Sequence, residues 1–249
     1  MQRLVSIGFA CVAGFALLAC SSEADPLPTG EFYKGEQVTP PGTGGATGTA
    51  GQPGTSPHDP PFKVAEYPAG PFGTNTGSTI ANYNFRGWLK PTEAKSESAP
   101  QGWDEKQFED VYMSDFYDPD GTKGIKIIML NASAVWCTVC RAEYSKFKAE
   151  GTYLKYKAMG AEFISAIFED AKNPPNPAKP SDLSYWGVTY SVEFPMILDP
   201  GFKLGQFFTA DATPMNLLID AKTMKIVGKY LGGDTTAMFA QLEQFVASN

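Results

Sequence analysis

The chain has 249 residues, 43% of them hydrophobic, with 20 Lys and Arg against 27 Asp and Glu, giving a formal net charge of −7 at pH 7. That balance, without any Lys/Arg cluster, excludes a surface built to track a phosphate backbone, so no nucleic-acid partner is expected. The length admits one or two domains, but the first quarter does not read as packed protein, and one folded domain is expected.

Met1-Gln2-Arg3 is a short positive start. An apolar run containing Phe9, Phe15, Leu17 and Leu18 follows and ends at Cys20. The run is too short for a comfortable membrane span and has the layout of an export signal. Leu17-Leu18-Ala19-Cys20 resembles the lipobox of bacterial lipoproteins. The resemblance implies a signal peptide over residues 1–19 and lipidation of Cys20 as the new N-terminus. Ser21 stands where an inner-membrane retention Asp would sit, which implies an outer-membrane anchor facing the periplasm. The plainer alternative is an ordinary cleaved signal with an accidental Cys.

Residues 20–61 are dominated by Gly, Thr, Pro and Ser. They cannot bury enough apolar surface to offset their ordering entropy and are expected to form a flexible tether. Gly-rich coil scaling gives such a segment a reach of about 35 Å. The remainder, 62–249, is left as the folded domain, with 62–124 as an N-terminal extension and 125–249 as its core. In the extension, Tyr67, Phe72, Ile80, Tyr83, Phe85 and Trp88 suggest short extended segments or a hairpin, and 108–116 suggests a short helix before the turn Asp118-Pro119-Asp120-Gly121.

From there the pattern alternates strand and helix. The apolar run 125–130 reads as a buried central strand. Tyr144, Phe147, Gly151 and Leu154 recur at helical spacing and predict one buried helix face. The run 163–168 reads as a second strand, so the unit implies a parallel crossover. A Pro-rich loop at 174–180, a helix over 182–190, a short strand at 194–198 and a helical turn at 204–208 follow. Residues 215–219 and 225–230 form a strand pair, and Met238, Leu242 and Phe245 mark a closing helix.

The chain has four cysteines. With Cys11 in the signal and Cys20 under lipid, Cys137 and Cys140 remain, in Trp136-Cys137-Thr138-Val139-Cys140. A bridge across two intervening residues constrains an unfolded chain little, so the pair asks for a chemical role rather than a structural one. At a strand-to-helix junction, the free N–H groups and dipole of the first turn favour a thiolate at Cys137. Cys137 is then the nucleophile toward a substrate disulfide, and Cys140 resolves the mixed disulfide. A structural zinc site lacks ligands, since the one imidazole, His58, lies in the tether. Haem attachment would need a His where Arg141 stands.

The run Asn131-Ala132-Ser133-Ala134-Val135-Trp136-Cys137-Thr138-Val139-Cys140-Arg141-Ala142-Glu143 resembles the active-site strand, turn and helix start of the thioredoxin superfamily. The likeness is to the TlpA/ResA-type thiol–disulfide oxidoreductases related to the redoxin/AhpC-TSA group. Phe194-Pro195 and Ala212-Thr213-Pro214-Met215 resemble two further segments of that family. The resemblance implies an α/β thioredoxin-like fold, a central mixed β-sheet flanked by helices. It also implies a cis Pro214 facing the dithiol, with Thr213 presenting backbone groups to an extended substrate and Trp136 as a platform for it. Asn131 replaces the buried Asp of thioredoxins and cannot titrate. Glu143 matches a Glu kept near the cysteines, either as acceptor of the Cys140 proton or as a solvated acid complementing the helix dipole. Trp186 reads as core.

The function so implied is reduction of disulfides in client proteins of the cell envelope, with an upstream thiol–disulfide electron donor and no cofactor, since no nicotinamide or flavin fingerprint is present. Two alternatives stay open: a peroxiredoxin-like thiol peroxidase, although Pro-x-x-x-Thr-x-x-Cys is absent, and a non-catalytic binding or copper-carrier lipoprotein.

Overall fold

The computed structural model describes residues 66–249. The expected signal, the lipidation site Cys20, the tether with His58, and the first residues of the predicted domain lie outside the described residues. Among the described residues no helix is long and apolar enough to cross a membrane.

Seven strands form one mixed sheet: β1 (Asn84–Trp88), β2 (Glu109–Tyr112), β3 (Ile127–Ser133), β4 (Ala161–Ile167), β5 (Met196–Leu198), β6 (Met215–Asp220) and β7 (Lys225–Leu231). They lie in the order β2-β1-β5-β4-β3-β6-β7. Strands β3, β4 and β5 are parallel neighbours, while β1, β6 and β7 run antiparallel to theirs. Every residue of β3 and β4 is buried, which is why these segments read as continuous apolar runs rather than alternating ones.

Among the described residues four α-helices accompany the sheet: α1 (Thr138–Glu150), α2 (Thr152–Lys157), α3 (Pro180–Tyr190) and α4 (Thr236–Ser248). Phe163 of β4 is met by Phe147 of α1, Tyr156 of α2 and Phe239 of α4, with ring centroids 6.1–6.5 Å apart. Tyr144 of α1 packs edge-on against Trp186 of α3 at 5.1 Å. Trp186 is fully buried, as the sequence suggests. In α4, Met238 and Leu242 are fully buried, and Val246 takes more of the burial than Phe245.

Three expectations are corrected. Residues 108–116 do not form a helix: β2 pairs with β1, setting Val111 opposite Phe85, and a 3₁₀ turn follows at Met113–Phe116. Cross-strand burial of Val111 overrides a weak local preference, and the Asp115 carboxylate closes the turn by accepting from the Tyr112 N–H at 2.7 Å. The predicted apolar stripe through Leu154 is also broken. Gly151 adopts the left-handed conformation (φ 61°), ends α1 and restarts the chain as α2. The phase shifts, so Tyr156 is buried and Leu154 is 62% exposed. The helical turn expected at 204–208 is a shorter 3₁₀ turn, Lys203–Gln206, whose first N–H groups are capped by the Asp199 carboxylate.

The extension joins the central sheet. Gly87 lies opposite Ile197 of β5, and a Cβ there would fall 2.0 Å from the Met196 carbonyl oxygen, so only glycine lets β1 approach β5 this closely.

Candidate active site

Strand β3 ends at Ser133, and four residues later Cys137 caps α1 with extended backbone geometry. Its sulfur accepts the Cys140 backbone N–H at 3.0 Å. That N–H belongs to the free donors of a first helical turn, so the fold aims a positive partial charge at Cys137 Sγ. The two cysteines are joined as a disulfide, with Cα atoms 5.3 Å apart. Cys137 keeps 3% exposure and Cys140 none, so of the two sulfur-bearing residues only Cys137 touches solvent.

Opposite the dithiol is the loop entering β6. The Thr213–Pro214 peptide is cis. The Thr213 carbonyl oxygen lies 3.9 Å from Cys137 Sγ and its hydroxyl 3.7 Å from Cys140 Sγ. That hydroxyl donates to the Ala132 carbonyl at 3.0 Å, tying the loop to β3. The Pro214 carbonyl accepts the Gly232 N–H at 2.8 Å, and Gly233 sits against the Val139 side chain, where a Cβ would come within 2.5 Å. Cis-proline loop, dithiol turn and β7–α4 loop therefore share one end of the sheet.

Trp136 is partly buried, and its indole N–H donates to Glu169 Oε2 at 2.7 Å. The Glu169 carbonyl also accepts the Val135 N–H at 2.9 Å. Glu169, just after β4, is a contact that sequence reasoning missed. An acid beside an aromatic of a distant loop leaves no periodic signal.

Glu143 is the acid nearest in sequence to the dithiol, and it is not solvated: it is 5% exposed, which removes the solvated-acid alternative. Its two oxygens accept from Asn131 Nδ2 at 2.8 Å and Asn216 Nδ2 at 3.0 Å. Asn131 and Asn216 face each other across β3 and β6, and Asn131 Nδ2 also donates to Asn216 Oδ1 at 2.8 Å. The Ser133 hydroxyl donates to Asn131 Oδ1 at 2.6 Å, and the Tyr144 hydroxyl lies 3.1 Å from the same oxygen. Burial pushes the Glu143 carboxyl up from an ordinary 4.5 to about 7, against the two amide donors, which pull it down. Asn216 is a second residue missed as functional. Its signal was a polar side chain inside the apolar run Met215-Asn216-Leu217-Leu218-Ile219.

Among the described residues, no group of three or more His, Cys, Asp or Glu side chains is gathered to hold a metal ion. The chemistry offered is that of a thiol pair with a buried carboxyl on the same helix.

A mixed sheet with a dithiol at the start of α1 and a cis-proline opposite it defines a thioredoxin-like protein. The model of the AhpC/TSA family matches residues 93–228, more than half of the chain, and the chain belongs to that family. A hypothetical protein of Sinorhizobium meliloti 1021 shares the fold, with 12% identity over 71% of this chain and 87% of that one and a TM-score of 0.50. The secreted thiol-disulfide isomerase of Corynebacterium glutamicum matches with 14% identity over 76% and 96% and a TM-score of 0.48. The thioredoxin domain of a thiol-disulfide oxidoreductase of Bacteroides vulgatus matches with 19% identity over 70% and 99% and a TM-score of 0.44. A comparison with curated proteins returned no match.

Proposed function

We propose that this protein is a dithiol–disulfide oxidoreductase that reduces disulfides of client proteins in the cell envelope. The observation that carries the reading is Cys137 capping α1, with the Cys140 N–H 3.0 Å from its sulfur and the cis Thr213–Pro214 bond beside it. In the reduced protein the Cys137 thiolate attacks one sulfur of a client disulfide, that bond breaks, and the departing client sulfur takes a proton. Cys140 then yields its proton to the Glu143 carboxylate and attacks Cys137 Sγ. The second client sulfur leaves Cys137 as a thiolate and takes that proton from Glu143, so the client departs with both thiols and the protein is left with the Cys137–Cys140 disulfide. An upstream thiol–disulfide donor reverses that oxidation. Thr213 holds an extended client segment through its backbone, and Trp136, fixed by Glu169, forms a wall of the cleft.

The proposal includes the envelope setting: a signal at 1–19, a lipid on Cys20 holding the protein to the outer membrane on the periplasmic side, and a tether to residue 61 that lets the domain at 62–249 reach clients. It rests on the lipobox resemblance and the tether's composition.

Replacing Cys140 with Ser removes the resolving thiol. The variant is expected to accumulate a client adduct through Cys137 that dithiothreitol releases, and the wild-type dithiol is expected to reduce insulin. No adduct and no insulin reduction would sink the reading. Membership of the AhpC/TSA family keeps a thiol peroxidase as the second reading, favoured instead if the reduced protein consumes hydrogen peroxide stoichiometrically and fast.

A further inference from the structure

We propose that Asn216 is a positioning residue of this site, holding the Glu143 carboxylate, one helical turn after Cys140, in its ionised, proton-accepting form. The inference rests on the reading of Glu143 as acceptor of the Cys140 proton and adds a residue that acts through it.

A buried carboxylate without hydrogen-bond donors is expensive, and Glu143 has neither a cation nor a backbone N–H among its hydrogen-bond partners. It has two side-chain amides, one on each of two adjacent strands. An amide can present its oxygen as easily as its nitrogen, so something must set its direction. At Asn131 the Ser133 hydroxyl donates to Oδ1, which turns Nδ2 toward Glu143 and Asn216. Asn131 then donates to Asn216 Oδ1, which turns Asn216 Nδ2 toward Glu143 in its turn. Direction is passed from Ser133 to Asn131 to Asn216, and both amides end with N–H groups on the carboxyl.

This arrangement suits a carboxylate and not a carboxylic acid, whose O–H would meet an N–H. Asn216 therefore opposes the effect of burial, keeping the carboxyl at about 7 rather than higher. The ionisable group beside Glu143 is the Tyr144 phenol, which burial raises far above its ordinary range; Cys140 lies one turn earlier on α1, which Cys137 caps. Strands β3 and β6 present to it the neutral side chains Asn131 and Asn216.

The test is the pH dependence of insulin reduction, with dithiothreitol regenerating the dithiol, in the wild type and in Asn216→Leu, Asn216→Ser and Glu143→Gln. Leu carries no donor and the Ser hydroxyl ends one bond short of the amide that reaches Glu143, and Ser is small enough to fold where Leu is not tolerated. Each is expected to move the Glu143 part of the acidic limb of the rate profile upward by about one pH unit, the scale of one hydrogen bond to a charged group, while Glu143→Gln removes that part and leaves the limb set by the Cys137 thiol. NMR titration of the Glu143 carboxyl in the oxidised protein gives the same comparison without turnover, and its midpoint is expected to rise in either Asn216 variant. An acidic limb unchanged in Glu143→Gln overturns the role of Glu143. A limb changed there but unmoved, with an unmoved carboxyl midpoint, in the Asn216 variants overturns the role of Asn216 alone.

Discussion

Asn131 and Asn216 stand opposite each other in the β3–β6 register, and the amide of the first donates to the carbonyl oxygen of the second at 2.8 Å. A polar pair at the centre of a sheet is costly unless every group is used. Here the remaining donors go to Glu143, so two interior strands are built around one carboxyl of α1.

Glu143 should leave a signature in stability against pH. Burial lifts its carboxyl from 4.5 to about 7, so over that interval the folded chain keeps a proton that the unfolded chain has released. The contribution to stability is full below pH 4.5 and is lost as pH rises through about 7. A shift of this size corresponds to about 3 kcal/mol. In urea unfolding of the oxidised proteins, wild type is expected to lose about that much relative to Glu143→Gln across the interval. The Asp199 carboxyl, pushed up to about 6 by burial, is common to both proteins and cancels. Parallel pH curves for the two proteins would contradict the burial of an ionisable Glu143.

Trp136 and Glu169 should be coupled. Their hydrogen bond joins the dithiol turn to the loop after β4, and a double-mutant cycle of Trp136→Phe and Glu169→Gln is expected to give a coupling of about 1 kcal/mol in stability. If Trp136 is the client platform proposed above, both single variants should also lower kcat/KM for insulin more than for a small disulfide. Additive effects on stability would mean that the contact does not hold Trp136.

Gly87 tests whether the extension is part of the core. A methyl group there meets the Met196 carbonyl and must push β1 off β5, so Gly87→Ala is expected to cost more than about 2 kcal/mol and lower Tm in a single transition. A two-step melt with an unchanged main transition would show that residues before β3 fold as a separate layer.

The dithiol, the strands β3, β4, β6 and β7, and helices α3 and α4 were legible in the sequence, because each is a local pattern of period, length or spacing. Leu154 was misplaced because the 3.6-residue period was carried across Gly151, where a left-handed residue resets the phase. Residues 108–116 were misread because β2 is short and owes its form to pairing with β1, a contact made through β1, more than twenty residues away in the register. In the site, Asn131 was noticed for what it lacks relative to thioredoxin, yet its use became visible only with Asn216 opposite it. Register across two strands is not written in either strand alone. Trp136 was singled out for its place beside Cys137, while its partner Glu169 belongs to a loop that comes near only once β3 and β4 pair.

The central claim is that Cys137 and Cys140 form a reducing redox couple, and its most direct test is the equilibrium of that couple against glutathione, read by alkylating the free thiols. The account predicts a two-electron exchange with a midpoint near that of thioredoxin, about −270 mV. A midpoint near the about −120 mV of a bond-forming oxidant, or no exchange with glutathione at all, would contradict it.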